Sequence, residues 1–344
     1  MKKRLFTLFG SMCLVFILTA LPFMAAYAQQ TKPMELKIAH MQPPVHFNHI
    51  LLQEWAKRIE QQTGGKVHFT IYPVGTLVPP LEIYEALIKG VMDVGLAPDG
   101  YAPARFPLQI GTAQCMLGLP SAEVGARIRM EIWKKFPAVR EEFKDSHVLA
   151  LNVHGPANIH SRSPARTLQD FKGWQLRSPP GVPPWMKALG AVPVAMSMDE
   201  TYLSIQKGIT QGYTGPDETL KSFRLAEVTK YTSVIKYYTG AFFLAMNLKT
   251  WERLPPDVKK VIEGLNEWLN VEMAKGWDDI DLAAQQFAKG VGHEFISPTP
   301  EALKEIYNSV RPVHDAWAAD MEAKGKPGKA IVAEIYELMK KYVK

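Results

Sequence analysis

The sequence predicts an α/β fold of two lobes, with a ligand cleft between the lobes and one long helix bracing both. Three observations support this prediction: strand-like and helix-like segments alternate over residues 35–97, they alternate again over residues 148–207, and one long helical pattern precedes Gly290. Such alternation is typical of a sheet covered by helices. Two α/β units in a chain of 344 residues favour two lobes.

The first unit consists of three strands and two helices. Alternating apolar residues predict the strands, which we place at residues 35–39, 67–72 and 94–97. Apolar residues at helical spacing predict the helices, which we place at residues 48–62 and 81–89. Glycines follow both helices, as is typical where a helix ends.

The second unit begins near His147 and repeats this pattern. Its predicted strands lie at residues 148–153, 173–177 and 192–194. Its predicted helices lie at residues 184–189 and 199–207. Two units of the same kind in tandem indicate two lobes that face each other across a cleft.

The longest helical pattern opens at two consecutive prolines and ends near Gly290. At 1.5 Å per residue it spans about 50 Å, which is longer than one lobe is wide, so we expect it to brace both lobes. The predicted units are lobe I, residues 29–153 with residues 241–290 returning to it, and lobe II, residues 154–240, with part of residues 291–344 packing across both lobes.

The N-terminal residues are typical of a cleaved signal peptide. Basic residues at positions 2–4 precede an apolar run over residues 5–19, and a small-residue pattern follows at residues 26–28. The apolar run is shorter than a membrane-spanning helix. We therefore expect residues 1–28 to be removed when the protein is exported.

Composition narrows the functional classes. Removal of the signal peptide lowers the formal charge from +6 by three units to +3, so the basic character belongs mainly to that peptide. The other lysines and arginines are scattered among acids, which argues against nucleic acid as a partner. Cys115 then remains as the single cysteine, so no disulfide forms within the chain. Cys13 lies inside the apolar run, which argues against a lipid anchor.

The sequence lacks the common enzyme motifs. It has no His-Glu-x-x-His, no Gly-x-Ser-x-Gly, no phosphate-binding glycine loop and no dinucleotide fingerprint after the first strand. His40, His46 and His49 lie close together without the usual spacing of zinc ligands, so a metal site, a pocket rim and a solvated loop all stay open for them. We expect a binding protein without catalytic activity, metal or cofactor.

Residues 168–179 and 188–194 carry the most specific pattern in the chain. The first segment reads Leu-x-Asp-x-Lys-Gly-x-x-x-Arg-x-Pro, and the second contains Leu-Gly-Ala-x-Pro-Val. Together with residues 211–216 and 250–255, these segments resemble the solute-binding proteins of tripartite ATP-independent periplasmic (TRAP) transporters, of the DctP type. The resemblance covers nearly the whole chain beyond residue 28.

The resemblance implies a two-lobed periplasmic binding protein that closes on a small organic acid. It also implies delivery to two membrane subunits, a small four-helix one and a large multi-span one, and we expect a monomer. Arg177 is implied to clamp the ligand carboxylate, and its planar guanidinium matches a carboxylate through two hydrogen bonds. Arg177 also lies at the end of a predicted strand, where α/β sheets bind ligands.

Two anchors that are common in the relatives are replaced here. Where many relatives carry a second arginine, residues 155–158 read Gly-Pro-Ala-Asn, and where many carry an asparagine, residues 212–216 read Gly-Tyr-Thr-Gly-Pro. The pocket therefore gains space and loses a charged group. Five residues are expected to form a larger, more apolar pocket wall: Tyr101, Trp185, Met198, Tyr213 and Phe243.

Seven further residues are expected to contact the ligand. They are Phe47, Asn48, Asp99, His154, Asn158, Thr214 and Gly215. His154 and His160 flank the place of the missing arginine, where either ring could donate a hydrogen bond to the ligand.

This pocket predicts a monocarboxylate with an aromatic or apolar body, since a second carboxylate would be buried without a partner. One alternative is a very small carboxylate or sulfonate held by Arg177 together with the histidines. Another is a sensing module that presents its solute to a receptor rather than to a permease. Capture uses the same chemistry in transport and in sensing, so the sequence leaves both open.

Overall fold

The computed structural model describes residues 32–343, and the predicted signal peptide lies outside this range. The strands of the described residues are β1 (Met34–His40), β2 (Val67–Tyr72), β3 (Val94–Pro98), β4 (Ser146–Val153), β5 (Asn158–Ser161), β6 (Gln175–Ser178), β7 (Val192–Ala195), β8 (Gly212–Gly215), β9 (Tyr231–Ser233), β10 (Ala241–Asn247) and β11 (Glu294–Ile296). The α-helices of the same residues are α1 (Phe47–Gln62), α2 (Ile83–Ile88), α3 (Pro107–Gln114), α4 (Ala122–Lys135), α5 (Pro137–Glu141), α6 (Pro183–Ala188), α7 (Thr201–Gln206), α8 (Thr219–Ser222), α9 (Leu248–Arg253), α10 (Pro256–Gly290), α11 (Pro300–Ala323) and α12 (Gly328–Tyr342).

Five strands form the first sheet, in the order β2-β1-β3-β10-β4. β1 lies parallel to β2 and β3, whereas β10 runs antiparallel to β3 and β4. The alternating pattern counts residues 148–153 with the second unit, whereas the predicted lobe boundaries count them in lobe I. The structure pairs this strand, β4, with β10 in the first sheet. An apolar strand carries no local signal of its partner, so its sheet becomes clear only from the pairing.

Six strands form the second sheet, in the order β11-β9-β5-β8-β6-β7. β6 is parallel to β7 and β8, and β5 is antiparallel to β8 and β9. Two connecting segments, residues 154–157 and 238–240, pass between the sheets side by side, because His154 N donates to Gly240 O at 3.0 Å. The residue boundaries of the two lobes stay a prediction.

Each sheet packs against its own hydrophobic core. In the first core, Leu36 and Ile38 of β1 lie against Trp55 of α1, and all three are at most 1% exposed. In the second core, Leu176 of β6 is buried together with Phe171. A third cluster joins α3 and α4 to α11 and α12. Burial of each large apolar side chain contributes roughly 1.5–3 kcal/mol, so these cores hold the two sheets in place.

Helix α10 confirms the long bracing helix, with 35 residues and a proline in its first turn. Near its middle, Met273 is buried in the first core. Farther along, Asp281 Oδ1 accepts a hydrogen bond from Glu218 N at 2.7 Å, and Gln285 Nε2 donates to Asp217 Oδ2 at 2.7 Å. The helix therefore contacts the first core as well as the segment that follows β8.

Several of the helices were not predicted from the sequence, among them α3, α4, α5, α11 and α12. Ser121 caps α4 by accepting a hydrogen bond from Val124 N at 3.3 Å. None of the helices in residues 32–343 combines the length and the hydropathy that a membrane span requires.

Candidate ligand-binding site

A cavity lies between the two sheets, beside the connecting segments. It contains about 630 Å³ of space free of protein atoms, part of which is open to solvent. Residues from the first sheet, the second sheet and α10 line it, and most of them are apolar.

Arg177, on β6, reaches this cavity and is 1% exposed. Its Nε donates to Met196 O at 3.1 Å, and its Nη2 donates to Tyr101 Oη at 3.2 Å. Within residues 32–343, Arg177 forms no ion pair with a carboxylate, and its Nη1 has no hydrogen bond. A buried guanidinium with a free arm is suited to bind a carboxylate.

Tyr101 joins the two sides of the cavity. It follows β3 of the first sheet, and its Oη accepts hydrogen bonds from Met198 N at 2.7 Å and from Arg177 Nη2 at 3.2 Å. Burial raises the pKa of the Tyr101 hydroxyl, so the hydroxyl keeps its proton. Because Oη accepts both of these bonds, its own proton is free to donate into the cavity.

Two glycines bring the main chain of the two sides together next to Tyr101. Gly181 N donates to Gly100 O at 3.0 Å. A Cβ atom at residue 181 would lie 3.0 Å from Gly100 Cα, so a side chain there would push the segments apart. Gln114 Nε2 also donates to Gly181 O at 3.0 Å. The structure therefore shows direct contacts across the cleft.

Asp99 was expected at the ligand but lies behind the cavity wall. Its Oδ2 accepts a hydrogen bond from Arg129 Nη2 at 2.6 Å, and neither side chain is more than 1% exposed. Burial raises the pKa of Asp99 to about 6, although Arg129 opposes this shift. Arg129 Nη1 also donates to Asn152 O at 2.6 Å, which ties the Asp99–Tyr101 turn to β4. Asp99 therefore positions Tyr101 rather than lining the cavity.

His154 lines the cavity from a connecting segment. Burial lowers its pKa to about 4, so the ring is neutral near pH 7. Its Nδ1 lies within hydrogen-bond distance of Gly155 O. Because a carbonyl can only accept, Nδ1 carries the proton and Nε2 is an acceptor. The sequence-based expectation that His154 donates to the ligand is therefore corrected: the ring offers an acceptor.

Six of the expected residues line this cavity: Tyr101, His154, Arg177, Met198, Thr214 and Gly215. They come from the ends of strands or from the turns that follow them, as is typical of ligand sites in α/β folds. That they contact a ligand stays a prediction.

The three other aromatic residues that were expected in the pocket wall lie in cores. Trp185 is 2% exposed within the core of the second sheet. Phe243 packs among the rings of Tyr84 and Phe106, with centroids 5.3 and 5.5 Å away. Tyr213 is fully buried and its ring stacks on that of His160, with the ring centroids 4.5 Å apart. None of the three rings is part of the cavity lining.

Asn158, Phe47 and Asn48 also lie outside the cavity lining. The Asn158 side chain accepts from Ile235 N at 3.0 Å and donates to Asp217 Oδ1 at 2.9 Å, so it holds a loop. The ring of Phe47 packs edge-on against that of Trp277, with the ring centroids 5.2 Å apart. Asn48 is fully buried in the first turn of α1.

The N-terminal histidines form a buried structural group. His40 and His46 are at most 1% exposed, which corrects the expectation of a solvated loop for these two residues. His40 Nε2 lies 2.9 Å from His49 Nδ1, and His46 Nδ1 accepts from Asn48 N at 3.1 Å. No cluster of three His, Cys, Asp or Glu side chains suited to a metal occurs in the described part of the chain.

His160 is also occupied within the protein. Its Nε2 donates to Gly215 O at 3.1 Å, and its Nδ1 accepts from Thr232 Oγ1 at 2.8 Å. The expectation that His160 donates to a ligand is therefore wrong.

Sequence reasoning missed several residues of the lining, chiefly Gln42, Glu218, Phe223, Tyr238, Phe242 and Trp277. Signals for some of them exist in the sequence. Gln42 follows the first strand, Glu218 follows the turn at residues 212–216, and Phe242 precedes the expected Phe243. Strand ends and the turns behind them are where α/β folds place ligand contacts.

Comparison with known proteins identifies the family. A family model described as "Bacterial extracellular solute-binding protein, family 7" matches residues 38–320. The C4-dicarboxylate-binding periplasmic protein DctP of Rhodobacter capsulatus is 25% identical over 308 residues, which cover 87% of this chain and 91% of the relative.

Two solved structures share the architecture. A TRAP solute-binding protein of Rhodoferax ferrireducens T118, in complex with copurified benzoate, is 27% identical with a TM-score of 0.81, covering 90% of this chain and 98% of that one. A marine metagenome TRAP solute-binding protein specific for aromatic acid ligands, in complex with metahydroxyphenylacetate, is 25% identical with a TM-score of 0.83, covering 90% and 100%.

These matches confirm the two-lobed α/β fold and the resemblance to TRAP solute-binding proteins. Members of this family are periplasmic solute-binding proteins rather than enzymes, and they work with membrane components. The chain belongs to family 7 of the bacterial extracellular solute-binding proteins, which serve TRAP transporters.

Proposed function

We propose that this chain captures an organic monocarboxylate with an aromatic or apolar body and delivers it to the small and the large membrane subunit of a TRAP transporter. The observation that carries this proposal is Arg177, a guanidinium that is 1% exposed, lines the cavity and has no carboxylate partner within residues 32–343. A buried charge is costly unless it is paired, so a ligand carboxylate is the complement that this site calls for.

The apolar wall supports an aromatic body. Tyr238, Phe242 and Trp277 line the cavity together with Met198. Phe242 and Trp277 lie against each other, with ring centroids 5.1 Å apart. A ligand ring packed on such residues gains about 0.5–1.5 kcal/mol per aromatic pair beyond the burial of area.

The charges in the lining argue against a dicarboxylate. Arg177 is the one arginine or lysine among the described residues that line the cavity, and Glu218 lines the same cavity. A second ligand carboxylate would therefore meet a carboxylate instead of a cation, and burying it without a partner costs several kcal/mol. The relatives span both classes, since two bind aromatic acids and one is named for C4-dicarboxylates.

Calorimetric titration of the purified protein with benzoate and with succinate tests the proposal. We expect benzoate to bind more tightly than succinate. Arg177→Ala should weaken benzoate binding by about thirty-fold to several thousand-fold, because removing one partner of a desolvated charge pair costs about 2–5 kcal/mol. Arg177→Lys should recover only part of the loss, because an ammonium cannot make the two-point contact.

Arg162→Ala is the matched control, since Arg162 is exposed and lies outside the cavity lining. This variant should keep the affinity of the wild type, and thermal melting should show that all three variants fold. If Arg177→Ala bound benzoate as tightly as the wild type does, Arg177 would not be the group that binds the carboxylate. Tighter binding of succinate than of benzoate would contradict the ligand class.

A further inference from the structure

The cavity has a second polar end, formed by His154 and Glu218, that the carboxylate clamp does not use. Both side chains line the cavity, and they are 7% and 2% exposed. We call this pair the acceptor end. The polar atoms of this pair that have no partner within residues 32–343 are available to a ligand in the cavity.

The free atom of His154 is Nε2. Its Nδ1 proton points to Gly155 O, and Thr239 Oγ1 donates to the main-chain oxygen of His154 at 2.6 Å, so neither neighbour donates to Nε2. A Cβ atom on Gly240 would lie 2.6 Å from Nε2, so only glycine at residue 240 leaves this nitrogen accessible. His154 therefore presents an acceptor to the cavity.

The free atom of Glu218 is Oε1. Its other oxygen, Oε2, accepts a hydrogen bond from Ser222 Oγ and lies 3.5 Å from His46 Nε2. Within residues 32–343, Oε1 has no hydrogen-bond partner. A carboxylate oxygen accepts hydrogen bonds, so Glu218 adds a second acceptor to this end.

The acceptor end lies near α10. The ring of Trp277 lies 5.2 Å from that of His46, which contacts Glu218, and 6.1 Å from that of His154. Glu218 and Arg177 line one cavity but form no ion pair with each other. A molecule between them can therefore contact a donor at one end and acceptors at the other.

We propose that the ligand carries a hydroxyl group on its apolar body, and that this hydroxyl donates to the acceptor end while the carboxylate binds Arg177. The inference rests on the proposed function and names the ligand as a hydroxylated aryl acid. A hydroxyl satisfies an acceptor without bringing a second full charge into an apolar cavity, where an ammonium would be costlier to bury. An ether oxygen at the same place has no proton to donate.

A matched series of ligands tests the proposal on the unmodified protein. Calorimetry would compare benzoate, the three hydroxybenzoate isomers and the corresponding methoxybenzoates. We expect at least one hydroxy isomer to bind about ten-fold or more tightly than benzoate and than its own methoxy analogue, because hydrogen bonds to charged groups are the stronger ones.

Two variants connect this preference to the acceptor end. In Glu218→Gln and in His154→Phe, the ratio of the hydroxy to the methoxy affinity should fall toward one. The ratio is taken within each variant, so general damage to the pocket cancels. Glu227→Gln is the control, because Glu227 is outside the cavity lining and its Oε1 lies 2.8 Å from Arg224 Nε. The ratio of the hydroxy to the methoxy affinity in this variant should match that of the wild type.

The outcomes separate this inference from the proposed function. If benzoate binds through Arg177 but no hydroxy isomer exceeds its methoxy analogue, the acceptor end has no role in recognition and the inference is wrong. The inference is also wrong if the ratio of the hydroxy to the methoxy affinity is as high in Glu218→Gln and in His154→Phe as in the wild type. If none of the aryl acids binds, the proposed ligand class fails, and this inference fails with it.

Discussion

Tyr101 has its hydrogen bonds arranged so that one donor is left over. Its oxygen accepts from Arg177 Nη2 and Met198 N, which uses the acceptor capacity of the hydroxyl. Neither of these bonds uses the proton of the hydroxyl, and Arg177 Nη1 is also without a hydrogen bond within residues 32–343. A ligand carboxylate at this place would therefore receive hydrogen bonds from both residues.

Tyr101→Phe should weaken benzoate binding by about ten-fold to one-hundred-fold. The substitution removes a donor to a charged ligand group and leaves Met198 N without its partner, and bonds of this kind contribute about 1.5–3 kcal/mol. Calorimetry would measure the loss. Tyr84→Phe is the control, because Tyr84 lies in the first core and contacts Ser146 rather than the cavity. Equal affinities for Tyr101→Phe and wild type would show that the hydroxyl does not contact the ligand.

Neighbouring residues in β10 show how far residue-level prediction reaches. Every residue from Ala241 to Asn247 is buried, so the sequence has no alternation that marks which face of the strand meets the cavity. Phe243 was the expected pocket residue, yet Phe242 lines the cavity and Phe243 packs on the opposite side. Arg177, by contrast, was identified because the surrounding motif fixes its place at the end of a strand.

At the scale of elements, α10 carries an unusual group. Asp281 is buried on this helix, and a Cβ atom on Gly155 would lie 1.7 Å from its Oδ2, so residue 155 needs to be glycine. Burial raises the pKa of Asp281 well above its usual range, and the nearby Asp217 and Glu218 carboxylates raise it further. Folding therefore shifts Asp281 toward its protonated form.

Asp281→Asn should stabilise the protein at neutral pH. A carboxyl whose pKa is raised on folding contributes fully to the stability of the folded protein below its unfolded pKa, about 3.9. This stability is lost as the pH rises through the pKa of the folded state. The amide keeps an oxygen for Glu218 N but has no charge to bury. The melting temperature of the variant should thus exceed that of wild type near pH 7, with the difference shrinking toward about pH 4.

Asp279→Asn is the control, because Asp279 lies on the exposed side of the same helix. The difference between the melting temperatures of this variant and wild type should change little with pH. A lower melting temperature for Asp281→Asn at neutral pH would mean that the charged form is the one that the fold requires.

Elements with a strong local period were predicted closely, whereas strand partners were not. The predicted long helix ends at Gly290, as α10 does, because a glycine and a change of pattern mark that end. The alternating pattern counted β4 with the second unit, although the predicted lobe boundaries counted it in lobe I, because its sequence resembles any buried strand. Its antiparallel partner β10 begins 88 residues after β4 ends, and no local pattern reports a contact over that separation.

For the whole molecule, contacts across the cleft imply that ligand binding and closure are coupled. Tyr101 contacts Arg177 and Met198 from the opposite side of the cleft, and Gly100 contacts Gly181. A ligand that contacts both sides binds the closed arrangement more tightly than the open one, and this difference in affinity favours closure.

Saturation with benzoate should therefore reduce the radius of gyration measured by small-angle X-ray scattering. Arg177→Ala at the same benzoate concentration should show no reduction, because it should not be occupied. Identical scattering profiles of free and saturated wild-type protein would indicate a static pocket.

The bond between Gly181 N and Gly100 O joins the two sides through main-chain atoms alone. Substitutions in the pocket leave these atoms in place, so ligand preference can diverge during evolution while the shape of the closed protein is retained. The membrane components that work with this family could then recognise one surface on relatives that carry chemically different cargo. Residue 181 itself is the exception, since a Cβ atom there would lie 3.0 Å from Gly100 Cα and the two segments would have to shift by a few tenths of an ångström.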